Sequence, residues 1–294
     1  MAWSNVVNDA TAAGLLAADK PVLLGQNLLR SAPVMKWVAA GGTGADQSAG
    51  LTWPGMVAAG FVHSQSKPNA PGATWTFYVD LGAELPFDSV VLVGQALGAA
   101  SALAVDIADN AAFSTRLQNI ASATVAATAR RKAFLKLGGG NGSKYTARYV
   151  RVNCSGGNFV PQLAEVFVGA RRQLKALPDD PWDPDAKRSL GEQQETDTGI
   201  RSRNIRGRGQ RLVDAHLTAY EEPYRSDLVA FFHSDIADGT QPFVWIDKPG
   251  TAPDDAYVMT LDEPKLSYPY GGPFKREMDL VATEQGPLFR SQEV

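Results

Sequence analysis

The chain has 294 residues, 44% of them hydrophobic and 20% charged, with a formal net charge of −3. That length allows two separate cores, and the small negative charge excludes an overall attraction to nucleic acid or to an anionic membrane. A single cysteine, Cys154, excludes an intrachain disulfide, and no run approaches the roughly 20 apolar residues that span a bilayer.

With 28 glycines and 18 prolines, the composition favours many turns and many short strands. The amino terminus, MAWSNVVNDATAAGLLAADK, has no basic segment ahead of an apolar one, so it does not read as a secretory signal, and synthesis in a reducing cytoplasm is expected. Residues 1–29 read as a lead-in, alanine-rich over 5–19 and either a short helix or irregular, ending near Pro21. Val34 to Val38, with Trp37, is the first strand. AAGGTGADQSAG over 39–50 is a glycine-rich surface loop, Trp53 and Pro54 mark a turn, and Met56 to Val62 is a strand ended by His63.

ATWTFYVDLGAELPFDSVVLVG, from Ala73 to Gly94, predicts a hairpin-like pair of strands. Trp75, Phe77 and Val79 alternate onto one face and Thr74, Thr76, Tyr78 and Asp80 onto the other, while the apolar run Val90 to Val93 suits a strand buried on both sides. Ala102 to Ala108 is a further strand, followed by a loop, DNAAFSTRL, that runs into a short helical turn. Residues 121–130 fit neither strand nor helix clearly. Arg131 to Leu137 alternates, GGGNGS is a strong turn signal, and Tyr145 to Val152 and Leu163 to Val168 complete a set of seven or eight strands, the pattern of an antiparallel sandwich.

ATWTFYVDLG, FDSVVLVG, VDIADNAAFS, ARYVRVNCSGG and LAEVFVGA follow one another as in discoidin-like modules, and residues 30–170 resemble that family, also called the coagulation factor 5/8 C-terminal or galactose-binding-like domain. The resemblance implies a β-sandwich jelly roll in which Asp80, Gly82, Tyr149 and Arg151 hold the fold. It also implies a ligand rim formed by the 39–50 and 95–101 loops and the segment CSGGNFVP, 154–161. Trp53, His63 and Asn158 are the candidate ligand-binding residues on that rim. Two features depart from the family: the disulfide common in animal members cannot form, and the loops lack an exposed aromatic or basic cluster.

After Gly169 the composition changes. Residues 171–199 contain LPDDPWDPDAKRSLGEQQETDTG and read as a linker or extended arm, with Trp182 as a docking anchor. RSRNIRGRGQR carries Arg201, Arg203, Arg206, Arg208 and Arg211. Clustered arginines can neutralise phosphates. The acidic chain and the lack of interleaved aromatics instead favour a solvated segment pairing with acidic groups, and Trp182, Arg201, Arg203, Arg206 and Arg208 are candidate assembly contacts. Val213, Ala215, Leu217 and Ala219 mark one face of a half-buried strand. From Glu221 to Ser234 the period becomes helical, with Leu228, Phe231 and Phe232 on one stripe, and strands follow at Phe243 to Ile246, Tyr257 to Leu261 and Phe274 to Ala282.

LVDAHLTAY, DLVAFFHSDIADGTQPFVWID and YVMTLDEPKLSYPYGGPFKREMDLVATE, within 200–294, resemble a small β-sandwich domain with one helix from the distal tail and tail-tip proteins of long-tailed phages. This second resemblance implies a structural component of a phage tail tip or baseplate, located in the virion. It would form a homo-oligomeric ring with tail-tube, tail-tip or hub proteins as partners and present the first module for assembly contacts or host-glycan binding. The alternatives are a freestanding carbohydrate-binding protein and, less favoured, a glycan-cleaving enzyme. His63, His216 and His233 are dispersed with no metal-ligand spacing, and no nucleophile elbow or phosphate loop occurs, so neither catalysis nor a cofactor is expected. Asp106 and Asp109 read as solvated surface more readily than as a calcium site.

Overall fold

The structure, a computed structural model, describes residues 3–4, 21–39, 44–48, 66–93, 101–114, 116–125, 132–136, 144–174, 187–188, 191–195, 201–205, 210–219, 224–249, 256–262, 265–267 and 276–285. The expected features at 5–19, at 51–63 and at GGGNGS lie outside these residues.

In chain order, β1 (Trp3–Ser4) and β2 (Val22–Leu24) precede β3 (Val34–Ala39), β4 (Gly72–Phe87), β5 (Ser89–Val93), β6 (Ser101–Ala108), β7 (Arg116–Val125), β8 (Lys132–Lys136), β9 (Tyr145–Phe159) and β10 (Glu165–Gly169). Then come β11 (Arg172–Leu174), β12 (Lys187–Arg188), β13 (Gly191–Glu195), β14 (Arg201–Ile205) and β15 (Gln210–Ala219). Helix α1 (Tyr224–Ala230), β16 (Phe243–Ile246), β17 (Ala256–Leu261), β18 (Lys265–Ser267) and β19 (Arg276–Glu284) follow. The chain is mainly β and its strand pairing is antiparallel, as the sequence predicts.

The first unit is a sandwich. A five-stranded sheet ordered β3-β4-β9-β6-β7 faces a three-stranded sheet ordered β10-β5-β8. Period-two alternation puts Trp75, Phe77 and Val79 of β4 inside with Trp37, Val105, Val150 and Val152, against Val90, Leu92, Val166 and Val168 of the small sheet. Tyr78 goes to the opposite face, where Phe113 and Tyr149 cover it.

The 73–94 stretch is not a hairpin, because β4 and β5 lie in different sheets. Asp88 is the crossing point: its N–H donates to the Gly169 carbonyl and its carboxylate accepts from Arg171 N at 2.9 Å, so hydrogen bonding passes from β9 to β10. Within β4 the register with β9 slips between Asp80 and Leu85, where Gly82 takes φ +82° and donates to Asp80 Oδ1 at 2.8 Å.

The second unit is a sheet ordered β1-β11-β2-β16-β17-β19-β15-β12, with β18 also paired to β19. Residues 22–24, from the expected lead-in, and 172–174, from the expected linker, thus pair with each other inside it. One face carries Val213, Ala215, Leu217, Phe243, Trp245, Met259, Leu280 and Ala282, packed under Leu228, Phe231, Phe232 and Ile236 of the helical segment. The helix begins as α and widens into a π turn over Phe231–Asp235. The wider turn keeps adjacent Phe231 and Phe232 buried together and sets Ile236 over Phe231, whose carbonyl accepts from Ile236 N.

The other face joins the two units. Val22, Leu24, Val244, Ile246, Ala256 and Val258 pack against Val91 and Phe167, the outward side chains of β5 and β10. Val90–Leu92 of β5 and Glu165–Gly169 of β10 are therefore buried on both sides, which is why these runs show no apolar–polar alternation.

Outside the large sheet, Arg151 donates to Asp106 at 2.9 Å with both side chains buried, Asn153 donates to the same carboxylate, and the Arg151 guanidinium lies 4.2 Å from the Phe113 ring centroid. Removing one partner of a buried ion pair strands the other. Asp106→Ala is accordingly expected to lower unfolding free energy by about 3–5 kcal/mol in denaturant titration; an unchanged midpoint contradicts this account of the outer face.

Candidate functional site: the loop rim of the sandwich

Strand register shows which connections share an end. Ala39 lies opposite Trp75, Gly72 opposite Phe159, Ala102 opposite Ser155, Ser101 opposite Val125, and Val93 opposite both Lys132 and Glu165. The connections after β3, β5, β7 and β9 therefore leave from one end of the sandwich. Of the expected rim segments 39–50, 95–101 and 154–161, the described residues 39, 44–48, 101 and 154–161 lie at that end. The chain enters β3 and leaves β10 at the opposite end, beside the second unit.

Short hydrogen bonds tie the described part of the rim to the core. The Trp37 indole N–H donates to Ser66 Oγ at 2.8 Å, and Ser66 is itself bridged to Leu163. Gln47 N donates to the Trp37 carbonyl and Asn69 N to the Gln47 carbonyl, each at 2.8 Å. Asp46 Oδ1 accepts from Ser48 N at 2.9 Å and from its hydroxyl at 2.6 Å, closing an Asx turn. Lys36 Nζ reaches the Gly44 carbonyl at 2.7 Å. Gly156 and Gly157 take φ 153° and 101° just before Asn158, a backbone path that glycine follows without strain. Among the described residues, the polar side chains that emerge exposed from this framework are Asp46, Asn69 and Asn158. Two amides and a carboxylate offer donors and acceptors suited to a hydroxyl-rich ligand.

Of the residues singled out in the sequence, Asn158 stands on this rim, exposed. Arg201 and Arg203 lie in β14, which among the described residues pairs with β13 in a two-stranded sheet. Trp53, His63, Trp182, Arg206 and Arg208 lie outside the described residues. Asp46 and Asn69 are additions. Both sit in turn-rich stretches, ADQS and SKPNAPG, whose composition signals a loop but not which side chain points outward.

The ionisable groups elsewhere are engaged in holding the fold. Arg148 donates to both Asp80 oxygens, at 2.8 and 3.0 Å, and together with the Gly82 N–H it holds the Asp80 carboxyl below the usual range against the opposing effect of burial. Burial, then Asp80 and Tyr149, push the Tyr78 phenol up to about 12. Burial alone pushes the Cys154 thiol to about 12, so it supplies no thiolate nucleophile near neutral pH. His216 pairs with Asp279 at 2.6 Å, and His233 pairs with Asp238. Among the described residues no group of three His, Cys, Asp or Glu side chains is placed to hold a metal ion, and no helix is long and apolar enough to cross a membrane.

The first unit is thus a β-sandwich with four strand connections at one end and the second unit at the other. No protein-family model and no curated protein matches the chain. Solved structures resemble about half of it. A fucosidase of family GH29 from Ruminococcus gnavus shares 20% identity over 49% of this chain and 26% of its own, at a TM-score of 0.37. Chitosan-binding module 1 of a chitosanase/glucanase from Paenibacillus sp. IK-5 shares 18% over 49% of this chain and 98% of its own, at 0.34. The module CBM32-3 of a family 31 glycoside hydrolase from Clostridium perfringens shares 10% over 46% and 90%, at 0.35. This chain thus spans about a quarter of the fucosidase's length. Likenesses this distant assign it no ligand.

A depressed folded-state carboxyl pKa contributes stability that is present above the unfolded pKa and lost as pH falls through the folded value. Stability measured from pH 6 down to about pH 2 is therefore expected to decline more steeply in the wild type than in Asp80→Asn, the two curves converging in acid. Parallel curves contradict a stabilising Asp80–Arg148 pair. Cys154 in the native protein is expected to resist thiol reagents until denaturant is added, as followed by absorbance of the released chromophore.

Proposed function

We propose that this protein is a non-catalytic recognition protein whose sandwich rim binds saccharide hydroxyls and whose second unit serves as its mount. The observation that carries this reading is the placement of the rim: four strand connections gather at the end away from the mount, and Asp46, Asn69 and Asn158 stand exposed there on a backbone pinned by Trp37 and Ser66. Short polar side chains on a fixed frame lose little conformational entropy on binding.

A second reading rests on the other half of the chain. There the sequence of residues 200–294 resembles phage tail proteins, and β15, α1, β16, β17, β18 and β19 follow one another in that order, with Phe231 and Phe232 opening the π turn after α1. In that reading the mount joins a tail tip or baseplate in the virion, and the rim contacts host glycans or neighbouring tail proteins.

Screening the full chain on a glycan array, followed by titration of any hit, tests the rim. A single neutral hydrogen bond contributes about 0.5–1.5 kcal/mol, so Asn69→Ala and Asn158→Ala are each expected to weaken binding by about three- to tenfold with an unchanged melting temperature. An array blank at millimolar ligand, or a double variant that binds like the wild type, refutes saccharide recognition here. Co-expression with tail-tube and hub proteins followed by size measurement tests the second reading, which a chain that remains monomeric and unassociated would contradict.

A further inference from the structure

The strand β10 runs from the rim to the mount, and what holds each end is on view. At its start, the bridge between Leu163 and Ser66 fixes the segment entering it, with Leu163 N donating to the Ser66 carbonyl at 2.9 Å and Ser66 N to the Leu163 carbonyl at 2.7 Å. Along its length every residue from Glu165 to Gly169 is buried. Asn27 then clamps it from outside: its Nδ2 donates to the Val166 carbonyl at 2.8 Å, and its Oδ1 accepts from Val168 N at 3.2 Å and from Leu29 N at 3.2 Å. At its end, Gly169 crosses the chain leaving β2 so closely that a Cβ there would stand 2.2 Å from the Gln26 carbonyl oxygen. Arg171, buried two residues later, bonds to Asp88 through its backbone N–H at 2.9 Å and its Nη1 at 3.1 Å. Arg172 bonds Asp235 beside the helix at 2.6 Å, and Arg30 reaches the Pro242 carbonyl at 3.2 Å.

Two domains joined by a small polar interface are expected to move relative to one another. Here the interface has an apolar centre, with Val22, Leu24, Val91, Phe167, Val244, Ile246, Ala256 and Val258 each at most 1% exposed. The chain also crosses it twice, once on each side of the Gly169–Gln26 contact.

We propose that the sandwich is an aimed head rather than a tethered module: the crossing of β10 over residues 26 and 27 fixes the direction in which the rim faces relative to the second sheet. A rim held at one angle engages ligands only on a surface presented at the matching angle. An array of such heads gains avidity only where that geometry is met, unlike modules on flexible linkers. The proposal concerns presentation and holds whether or not the rim binds a saccharide.

Distance measurement between spin labels in the full chain tests it, with the wild-type background kept because Cys154 is fully buried. One pair, Asn158→Cys with Lys248→Cys, spans rim and second unit; the other, Asn158→Cys with Glu84→Cys, stays within the sandwich. The expected result is one peak of similar width for both pairs. Adding Gly169→Ala, which drives a methyl into the Gln26 carbonyl, is expected to broaden only the rim-to-second-unit distance. Should that variant fail to fold, Asn27→Ala removes the clamp without adding bulk and carries the same expectation. A broad or multiple rim-to-second-unit distance in the unperturbed background overturns the proposal. So does a folded crossing variant whose distance and width are unchanged.

Discussion

The constraint on which the rest depends is the close passage of Gly169 across the Gln26 carbonyl. No side chain fits between the two segments, and their contact packs β2 in one apolar cluster with Phe167 of β10 and leads the chain into β11, which pairs with β2. The small sheet is thereby covered on its outer face by strands from the second unit, while its inner face closes the sandwich. One three-stranded sheet serves two cores. A chain of this size can build separate domains, but here the apolar outer side chains Val91 and Phe167 would be left in water without the second sheet. Burying one such side chain contributes about 1.5–3 kcal/mol, a large part of ordinary net stability.

Charge is used sparingly and locally. Arg151 with Asp106 on the outer face is a buried ion pair, and in the crossing the Arg171 backbone N–H bonds the Asp88 carboxyl while its guanidinium bonds the Asp88 carbonyl. Their contribution to net stability is smaller than the cost of breaking them, because loss of one member leaves the other desolvated. They specify where strands cross more than they stabilise the fold. At the rim Asp46, Asn69 and Asn158 are short and exposed, and Asp46 is held by a local Asx turn rather than by a buried network.

Much of this was legible in the sequence wherever one face of an element meets water. The alternation of Trp75, Phe77 and Val79, the unbroken VVLV run, the strand at 210–219 and the helical stripe of Leu228, Phe231 and Phe232 each reflect burial that repeats with a fixed period. What remained illegible depends on partners distant in the chain. Val22–Leu24 is three apolar residues with no period to read, and it is a strand only because Arg172–Leu174 and Val244–Ile246 lie on either side of it. The stretch from Ala73 to Gly94 reads as a hairpin, whereas β4 runs on to Phe87 and the chain crosses between sheets at Asp88, since sequence spacing does not tell a hairpin from a crossing. Gly169 looks like ordinary strand-end punctuation until Gln26 is seen against it. The 39–50 stretch was legible as a loop, whereas 154–159 is the end of β9 rather than loop; Asn158 was singled out and Asp46 and Asn69 were not, because composition does not tell which side chains emerge.

The two units therefore share one buried apolar cluster, with the rim at the end away from it, and are expected to unfold as one body. Native-state hydrogen exchange measures this most directly, since amides that open only by global unfolding report a common free energy. Backbone amides of β5 and β10 in the sandwich and of β16 and β17 in the second sheet are predicted to exchange with the same limiting free energy and the same denaturant dependence. Exchange of the β16 and β17 amides at a distinctly lower free energy, with the sandwich still protected, would contradict the shared core.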